Sequence, residues 1–580
     1  MNSLFLLSFK CNFKNKKVLF FMYIILKIIL IIIPTITLYF NNYLYNYLSH
    51  EFDKYIAITY LIFYLLSSVL LSSILNYLCN ATSLKIQEYS KIEAQKMFNQ
   101  FVLKLDYELM EDNSIYNDIN IMSSIYTNLI SNYLFQILEI VSKLLTLISL
   151  VAYLLSFKCY LLIIIVILIS LLYYFVIRKN NSLIYYEQLK RIPEVREGNY
   201  LYKILSNRNS LKEIKTDNSQ SFIINEWENK RKKIIRETTK LKFKTVYKKL
   251  YIDLIYYLVF NILIFVLILG LKGGNLDIGA FTSLYYGFMN IHLIIIILIG
   301  SIFSINLQTK EYNKRIYLLN KKEKVKTNLC FKKQIVMENI NYSYPNSTID
   351  IIDGITLSIH KGEKIGIVGE NGCGKTTLLK IILGLLTPQS GKIIIDDEIV
   401  NDYNISNISG LFQNFVTYAS TIEKAVIVNH TYDKEKLEKI YKVVKLDKLI
   451  DSLNLKDKTT IGQVFPNSIE LSGGEKQRLA FARCLYNDEA ELYFLDEPTS
   501  SLDVNFEVDV YRMFLNELKE KTIIMISHRL AFAHYMDKLI VMDKGKIVEY
   551  GSHEELMSLK GHYYNMYTKQ LELIEGIKRN

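Results

Sequence analysis

Six stretches of this chain stay apolar for long enough to cross a bilayer as helices: Val18 to Phe40, Tyr55 to Leu78, Leu134 to Phe157, Tyr160 to Ile177, Tyr251 to Leu271 and Ile278 to Ile305. A hydrocarbon core about 30 Å thick asks for roughly twenty residues of helix, and no run after Ile305 approaches that length. The 580 residues therefore divide into a membrane half, 1–326, and a soluble half, 327–580. The connections on one side of the membrane are short. The two long ones, after the second and fourth spans, carry helical periodicity onward, as in Ile86, Ile92, Met97, Phe101 and Leu105. An all-α membrane domain of six helices with long cytoplasmic extensions is expected. A polar break interrupts each extension, Asp106 to Asp118 and Asn207 to Asp217, and turns a descending helix into an ascending one. A turn so far from the bilayer needs a surface to rest on, and the soluble half is the candidate.

Charge sets the orientation. Lys10, Lys14, Lys16 and Lys17 precede the first span, whereas Glu51 and Asp53 outweigh Lys54 in the loop after it, so the N-terminus is expected in the cytoplasm, and after six crossings the C-terminus too. A formal net charge of +12 could suit nucleic acid, but the basic residues crowd loops beside the spans, which points to the lipid bilayer instead. Lys230-Arg231-Lys232-Lys233 is read in the same way, as a solvated helix face near anionic lipid. Cys11, Cys79, Cys159, Cys330, Cys373 and Cys484 form no C-x-x-C pair, which suggests neither a zinc site nor a disulfide framework and fits a reducing cytosol. No small-residue cleavage site follows Val18 to Phe40, so that run is a retained span.

In the soluble half short apolar runs alternate with turns and helices: Gln334 to Met337, Ile355 to Ile359, Lys364 to Val368 and Lys392 to Ile395. This is the pattern of an α/β domain on a mainly parallel sheet. After Lys364 to Val368 comes Gly369-Glu370-Asn371-Gly372-Cys373-Gly374-Lys375-Thr376-Thr377, which fits G-x-x-x-x-G-K-[ST] between a strand and a helix. Its glycines let backbone N–H groups close round phosphate oxygens, Lys375 neutralises charge on the β- and γ-phosphates, and the Thr376 hydroxyl coordinates Mg²⁺. The following helix turns its positive dipole end to the same place. Some 120 residues on, the apolar run Leu492-Tyr493-Phe494-Leu495 ends in Asp496-Glu497. Asp496 suits the metal, and Glu497 suits a general base facing an attacking water.

Leu471-Ser472-Gly473-Gly474-Glu475-Lys476-Gln477 resembles the LSGGQ signature of ABC transporters, a far more specific motif than the glycine loop. The family's other stations follow in order. Tyr344 matches the aromatic on which adenine stacks, Gln413 the glutamine loop and a metal contact, Ser500-Ser501-Leu502-Asp503 the D-loop, and His528 the switch histidine. The resemblance covers nearly the whole chain and implies a P-loop ABC nucleotide-binding domain after the six spans, hence an exporter-type half-transporter that hydrolyses ATP with Mg²⁺. It implies that two chains pack head to tail, Ser472, Gly473 and Gly474 of one reaching the phosphate held by Lys375 of the other. Because Glu497, His528 and the signature are intact, a homodimer with two working sites is the simplest expectation, and a heterodimer the alternative.

Three departures stand out. Glu475 replaces the usual glutamine and is expected to retune hydrogen bonding between domains. Cys373 replaces the usual serine beside the phosphates and a helix start, an environment that can lower a thiol pKa; tolerated variation is the preferred reading and redox sensitivity the alternative. The stretch Ile461 to Glu470 departs from multidrug and lipid exporters and looks like the bacterial branch that exports lanthipeptides and other ribosomal peptides. Peptide export across the cytoplasmic membrane is accordingly the first reading of function; export of drugs or lipids is the second, and an ATP-gated channel or regulator the third. The residues before Val18 leave no room for the protease domain of leader-trimming relatives, so another protein would cut a leader-bearing cargo. Lys27, Glu139, Lys143, Asn261, Asn290 and His292 are the polar groups within spans that could meet cargo. Glu139 and Lys143, four apart on one helix, are read as an internal ion pair, and His292 as bonded to a neighbouring helix or to cargo.

Overall fold

The computed structural model describes residues 2–579 apart from 15, 51–53, 275, 321–325, 346, 348, 463–464, 499–511 and 513. The chain forms two compact units, Met1–Leu103 with Asp118–Leu318, and Lys104–Asn117 with Leu319–Asn580. The division is thus not a single cut near residue 326, because the first polar break belongs with the second unit.

The helices run α1 (Asn2–Lys14), α2 (Lys17–His50), α3 (Lys54–Leu65), α4 (Ser72–Lys104), α5 (Glu108–Glu111), α6 (Asn113–Leu155), α7 (Tyr160–Lys190), α8 (Ile192–Ser206), α9 (Arg208–Thr216), α10 (Gln220–Lys272) and α11 (Ile278–Asn320). Among the described residues five helices are long and apolar enough to cross a membrane, and they hold the first, fourth, fifth and sixth predicted spans whole and the third as far as Leu155. The second is divided: a π-helical turn over Leu66–Leu71 separates α3 from α4. Such a turn inserts one residue per repeat and re-phases the faces on either side of it.

At 53 residues α10 reaches about 80 Å, far more than a bilayer needs, so much of it continues beyond the span. Its basic run is an exposed helix face, as expected, and its charges are also paired. Lys230 pairs with Glu197, Lys233 Nζ lies 3.2 Å from Glu194 on α8, and Lys232 Nζ lies 2.6 Å from Glu228 one turn back. The second break is also more ordered than a polar turn: Arg208–Thr216 is a helix whose Ile214 is buried.

Inside the first unit Leu150, Leu154, Phe260, Leu263, Phe288 and Ile291 pack into one apolar cluster. His292, on its edge, is bonded between helices: Nδ1 lies 3.0 Å from Ser170 Oγ, and its ring stacks on Tyr256 at 3.7 Å between centroids. Asn261 is exposed and Asn290 half-buried. The expected ion pair of Glu139 with Lys143 is only part of the arrangement, since Glu139 bonds directly to Lys27 on α2 and holds Lys143 Nζ at 3.8 Å.

The second unit is built on a six-stranded sheet in the order β12-β11-β4-β10-β9-β8, comprising β4 (Lys364–Gly369), β8 (Ile408–Leu411), β9 (Leu492–Asp496), β10 (Thr522–Ile526), β11 (Lys538–Asp543) and β12 (Lys546–Gly551). All its pairings are parallel except that of the edge strand β12. Every residue of β9 and of β10 is buried, as expected of parallel strands covered on both faces. A four-stranded antiparallel sheet, β3-β2-β5-β6, packs beside it, formed by β2 (Gln334–Tyr342), β3 (Ile352–His360), β5 (Ser390–Ile395) and β6 (Glu398–Val400). Register then decides where chemistry can occur. Ile526 pairs with Asp496, Leu411 with Leu495, and Ile526 with Ile367, so the loops after β4, β8, β9 and β10 all leave from one edge. The carboxyl edge of a parallel sheet is where such folds bind ligands.

Candidate nucleotide-binding site

The glycine loop leaves β4 at Gly369 and enters α12 (Lys375–Ile382) through Gly374, which caps that helix at φ 105°, a conformation that penalises any side chain. A Cβ on Gly374 would also come within 2.8 Å of the Ile351 carbonyl, and one on Gly369 would collide with the Met542 carbonyl. Gly372, by contrast, faces open space. Lys375 is buried, and its Nζ donates to the carbonyls of Gly369 at 2.9 Å and Glu370 at 2.8 Å, so the ammonium lies under the loop it follows. Tyr344 sits at the first turn of α12: its hydroxyl is 3.2 Å from Thr377 Oγ1 and its ring meets Tyr342 edge-on. Asn371 is an exposed loop residue.

Across from the loop, Thr376 Oγ1 donates to Asp496 Oδ1 at 3.3 Å. Asp496 is 1% exposed, and its second oxygen is buried with no hydrogen-bond partner. Burial pushes this carboxyl above its usual range and the adjacent Glu497 adds to the rise, while the Thr376 hydroxyl and the Lys375 ammonium oppose it. A buried carboxylate oxygen beside a threonine hydroxyl is a hard-oxygen donor set of the kind Mg²⁺ takes.

Glu497 adopts a left-handed backbone, φ 47°, held by its N–H donating to Ile526 O at 2.9 Å. A non-glycine residue there stores about 1 kcal/mol or more of strain, and such residues cluster at functional sites. Its Oε2 accepts from Gln413 Nε2 at 2.8 Å, and its Oε1 lies 3.7 Å from His528 Nδ1. The loops after β8, β9 and β10 therefore converge on one carboxylate.

Ser472 lies elsewhere. It caps α16 (Gly473–Tyr486), its Oγ accepting from Glu475 N at 3.3 Å while Glu475 Oε2 accepts from Ser472 N at 2.7 Å. Glu475 therefore closes a capping box, a local duty that glutamine performs equally. Ser472 and Gly473 are exposed, and among the described residues no hydrogen bond or ion pair joins Ser472, Gly473 or Gly474 to the glycine loop. Asp503, with the rest of Ser500 to Asp503, lies outside the described residues, as do 463–464 within Ile461 to Glu470. Cys373 departs from expectation: it is buried, and burial pushes its thiol up rather than down, outweighing the nearby Lys375 charge.

Three groups of contacts had no motif to announce them. Gln477 donates its amide to the Pro498 carbonyl, tying α16 to the residue after Glu497. Gln570, on the C-terminal helix His562–Arg579, accepts from Leu530 N at 3.0 Å and donates to the His528 carbonyl at 2.5 Å. Lys380 on α12 meets Glu111 at 2.8 Å and lies over the Tyr107 ring at 5.2 Å, while Lys326 meets Asp106 at 2.7 Å. The first polar break thus rests on the helix that follows the glycine loop.

A family model described as ABC transporter matches residues 352–500, which run from β3 through the glycine loop and signature to the end of β9 and beyond. The subtilin transport ATP-binding protein SpaT of Bacillus subtilis is 30% identical over 96% of this chain and 93% of its own length. The nisin transport ATP-binding protein NisT of Lactococcus lactis is 32% identical over 66% of each chain. A solved bacterial Atm1-family ABC exporter with ATP bound has the same fold at 18% identity, with a TM-score of 0.77 over 95% of this chain and 98% of that one. With the glycine loop, the strand-end carboxylates and the capped signature helix all inside the matched region, and with a relative aligned along almost its full length, the chain belongs to the ABC transporters and couples ATP hydrolysis to export.

Proposed function

We propose that two copies of this chain, packed head to tail, export a ribosomally made peptide across the cytoplasmic membrane. The observation that carries the peptide reading is the length of the alignment with the subtilin transporter: it takes in the membrane half, where cargo is met, and not the nucleotide-binding half alone. At the nucleotide site, Gly369 to Thr377 hold the phosphates, Tyr344 stacks on adenine, and Thr376, Asp496 and Gln413 hold Mg²⁺, which neutralises charge developing between the β- and γ-phosphates. Glu497 takes the proton of the attacking water, and His528 and Gln413 keep its carboxylate in place. The pairing of copies is supported by the exposed Ser472 and Gly473, which meet no phosphate-holding residue of their own chain. Coupling to the membrane half runs through the two breaks, of which the first already grips α12 through Glu111 and Lys380.

The export reading is tested in inside-out vesicles. Subtilin or nisin should accumulate with ATP and raise the hydrolysis rate severalfold, whereas fluorescent drug and lipid probes should do neither. Uptake of drug or lipid probes without peptide uptake would replace the peptide reading by the second one, and ATP-gated ion current without accumulation would favour a channel.

Gln570 is a positioning residue in this scheme, since it bonds the His528 carbonyl and the Leu530 N–H and so braces the loop that carries His528. Gln570→Ala should lower kcat for ATP hydrolysis severalfold and leave KM for ATP nearly unchanged. A change confined to KM, or none in either constant, would remove it from the mechanism.

A further inference from the structure

Among the described residues the trio Lys27, Glu139 and Lys143 carries more positive than negative charge inside the predicted spans. Glu139 bonds to Lys27 with one carboxylate oxygen, and its other oxygen is 3.8 Å from Lys143 Nζ. Two ammonium groups therefore share one carboxylate, and no other ion pair among the described residues includes either lysine. Farther along the same two helices Thr35 Oγ1 lies 3.0 Å from Ser149 Oγ, so α2 and α6 run side by side in one direction and the trio sits on a single level. Lys27 and Lys143 are both near the middle of their apolar runs, well away from headgroup depth.

Gln136, Glu139 and Lys143 follow one another at helical spacings of three and four along one face of α6. The side-chain oxygen of Gln136 is buried with no partner. Lys143 is 32% exposed and Glu139 33%, so the trio is open on one side. An ammonium group is costly in hydrocarbon unless it meets water or an anion, and charged groups inside spans usually mark the path of a transported ligand.

We infer that Lys143, steadied by Glu139 and Lys27, is an anion-binding subsite that takes a carboxylate of the exported cargo. This rests on the export reading above. Depth argues for cargo over an anionic lipid, whose phosphate stays at the interface. Glu139 has a second part in the site: by neutralising Lys27 it limits the pull on the anion, so that cargo can leave again.

The full-length protein in phosphatidylcholine vesicles provides the test. ATP hydrolysis is followed against the concentration of a synthetic apolar peptide with a free C-terminal carboxylate, and against the same peptide as its C-terminal amide. The wild type should respond to the acid at a concentration lower by about tenfold, the worth of one charge-assisted hydrogen bond. Lys143→Met should raise the half-maximal concentration of the acid to that of the amide, Lys143→Arg should restore the difference, and Glu139→Gln should widen it. The half-maximal concentration does not depend on how much of a variant folds. Equal responses to acid and amide in the wild type would overturn the subsite and leave export standing. No response to either would count against peptide export and take the subsite with it. If Lys143→Met instead abolishes a dependence on phosphatidylglycerol added to the vesicles, the site belongs to lipid and the inference is wrong.

Discussion

Glu497→Gln is expected to bind MgATP with near-normal affinity and to hydrolyse it at least about a hundredfold more slowly, the range over which a general base acts. The reason lies in what the substitution preserves. An amide of the same length can keep the hydrogen bond now made by Gln413 at 2.8 Å and occupy the same left-handed position after β9. What it loses is the ability to accept a proton from water. Asp496 cannot step in, because it is buried, already bonded to Thr376, and has one oxygen suited to the metal. Single-turnover hydrolysis with a parallel nucleotide-binding assay separates the two effects. Near-normal turnover in the variant would remove Glu497 as the base, and lost binding would mean that its carboxylate holds nucleotide or metal instead.

Mixed dimers of a Ser472→Arg chain with a Lys375→Ala chain, isolated by a different affinity tag on each chain, should keep roughly half the wild-type rate, whereas isolated dimers of a chain carrying both substitutions with a wild-type chain should keep almost none. In a head-to-tail pair, the first arrangement puts both lesions into one composite site and leaves the other intact. The second spoils one half of each. Lys375 is buried under the loop with two carbonyl bonds, so Lys375→Ala removes a charge from the phosphate cradle and should weaken nucleotide binding itself, by roughly ten- to a hundredfold. Arginine at Ser472 blocks the exposed end of α16 and also removes its cap, so circular dichroism should be checked for loss of folding. The reverse pattern in the mixed dimers, almost no activity in the first and about half in the second, would mean that each chain completes its own site, and the pairing would have to be abandoned.

The parts of this protein that were legible in advance are those written in local code. Apolar runs of bilayer length are confined to helices, because backbone groups in hydrocarbon must bond within their own segment. A glycine loop between a strand and a helix needs only its own residues to close, and Gly374 at φ 105° answers directly to the sequence. The strand-end pair Asp496-Glu497 was likewise readable, since the run before it could only be a buried strand. Glu475 has a local duty that the family comparison did not announce, because its bond reaches just three residues back, to Ser472. The direction in which the Cys373 thiol moves was hidden for the opposite reason. Neighbouring charge can be read from sequence, but the burial that overrides it cannot.

By itself, then, the order of residues determined most of the apolar helices, the family, and the local form of the glycine loop and the strand-end carboxylates. Only the tertiary structure decided who partners whom across the chain. It set Lys27 rather than Lys143 as the main partner of Glu139, Glu111 as the partner of Lys380 on the helix after the glycine loop, and Gln570 as the brace of the His528 loop. These choices depend on strand register and on how helices far apart in sequence lie against one another. A charged side chain pairs with whatever opposite charge packing brings within about 4 Å, and spacing along the chain carries no record of that distance.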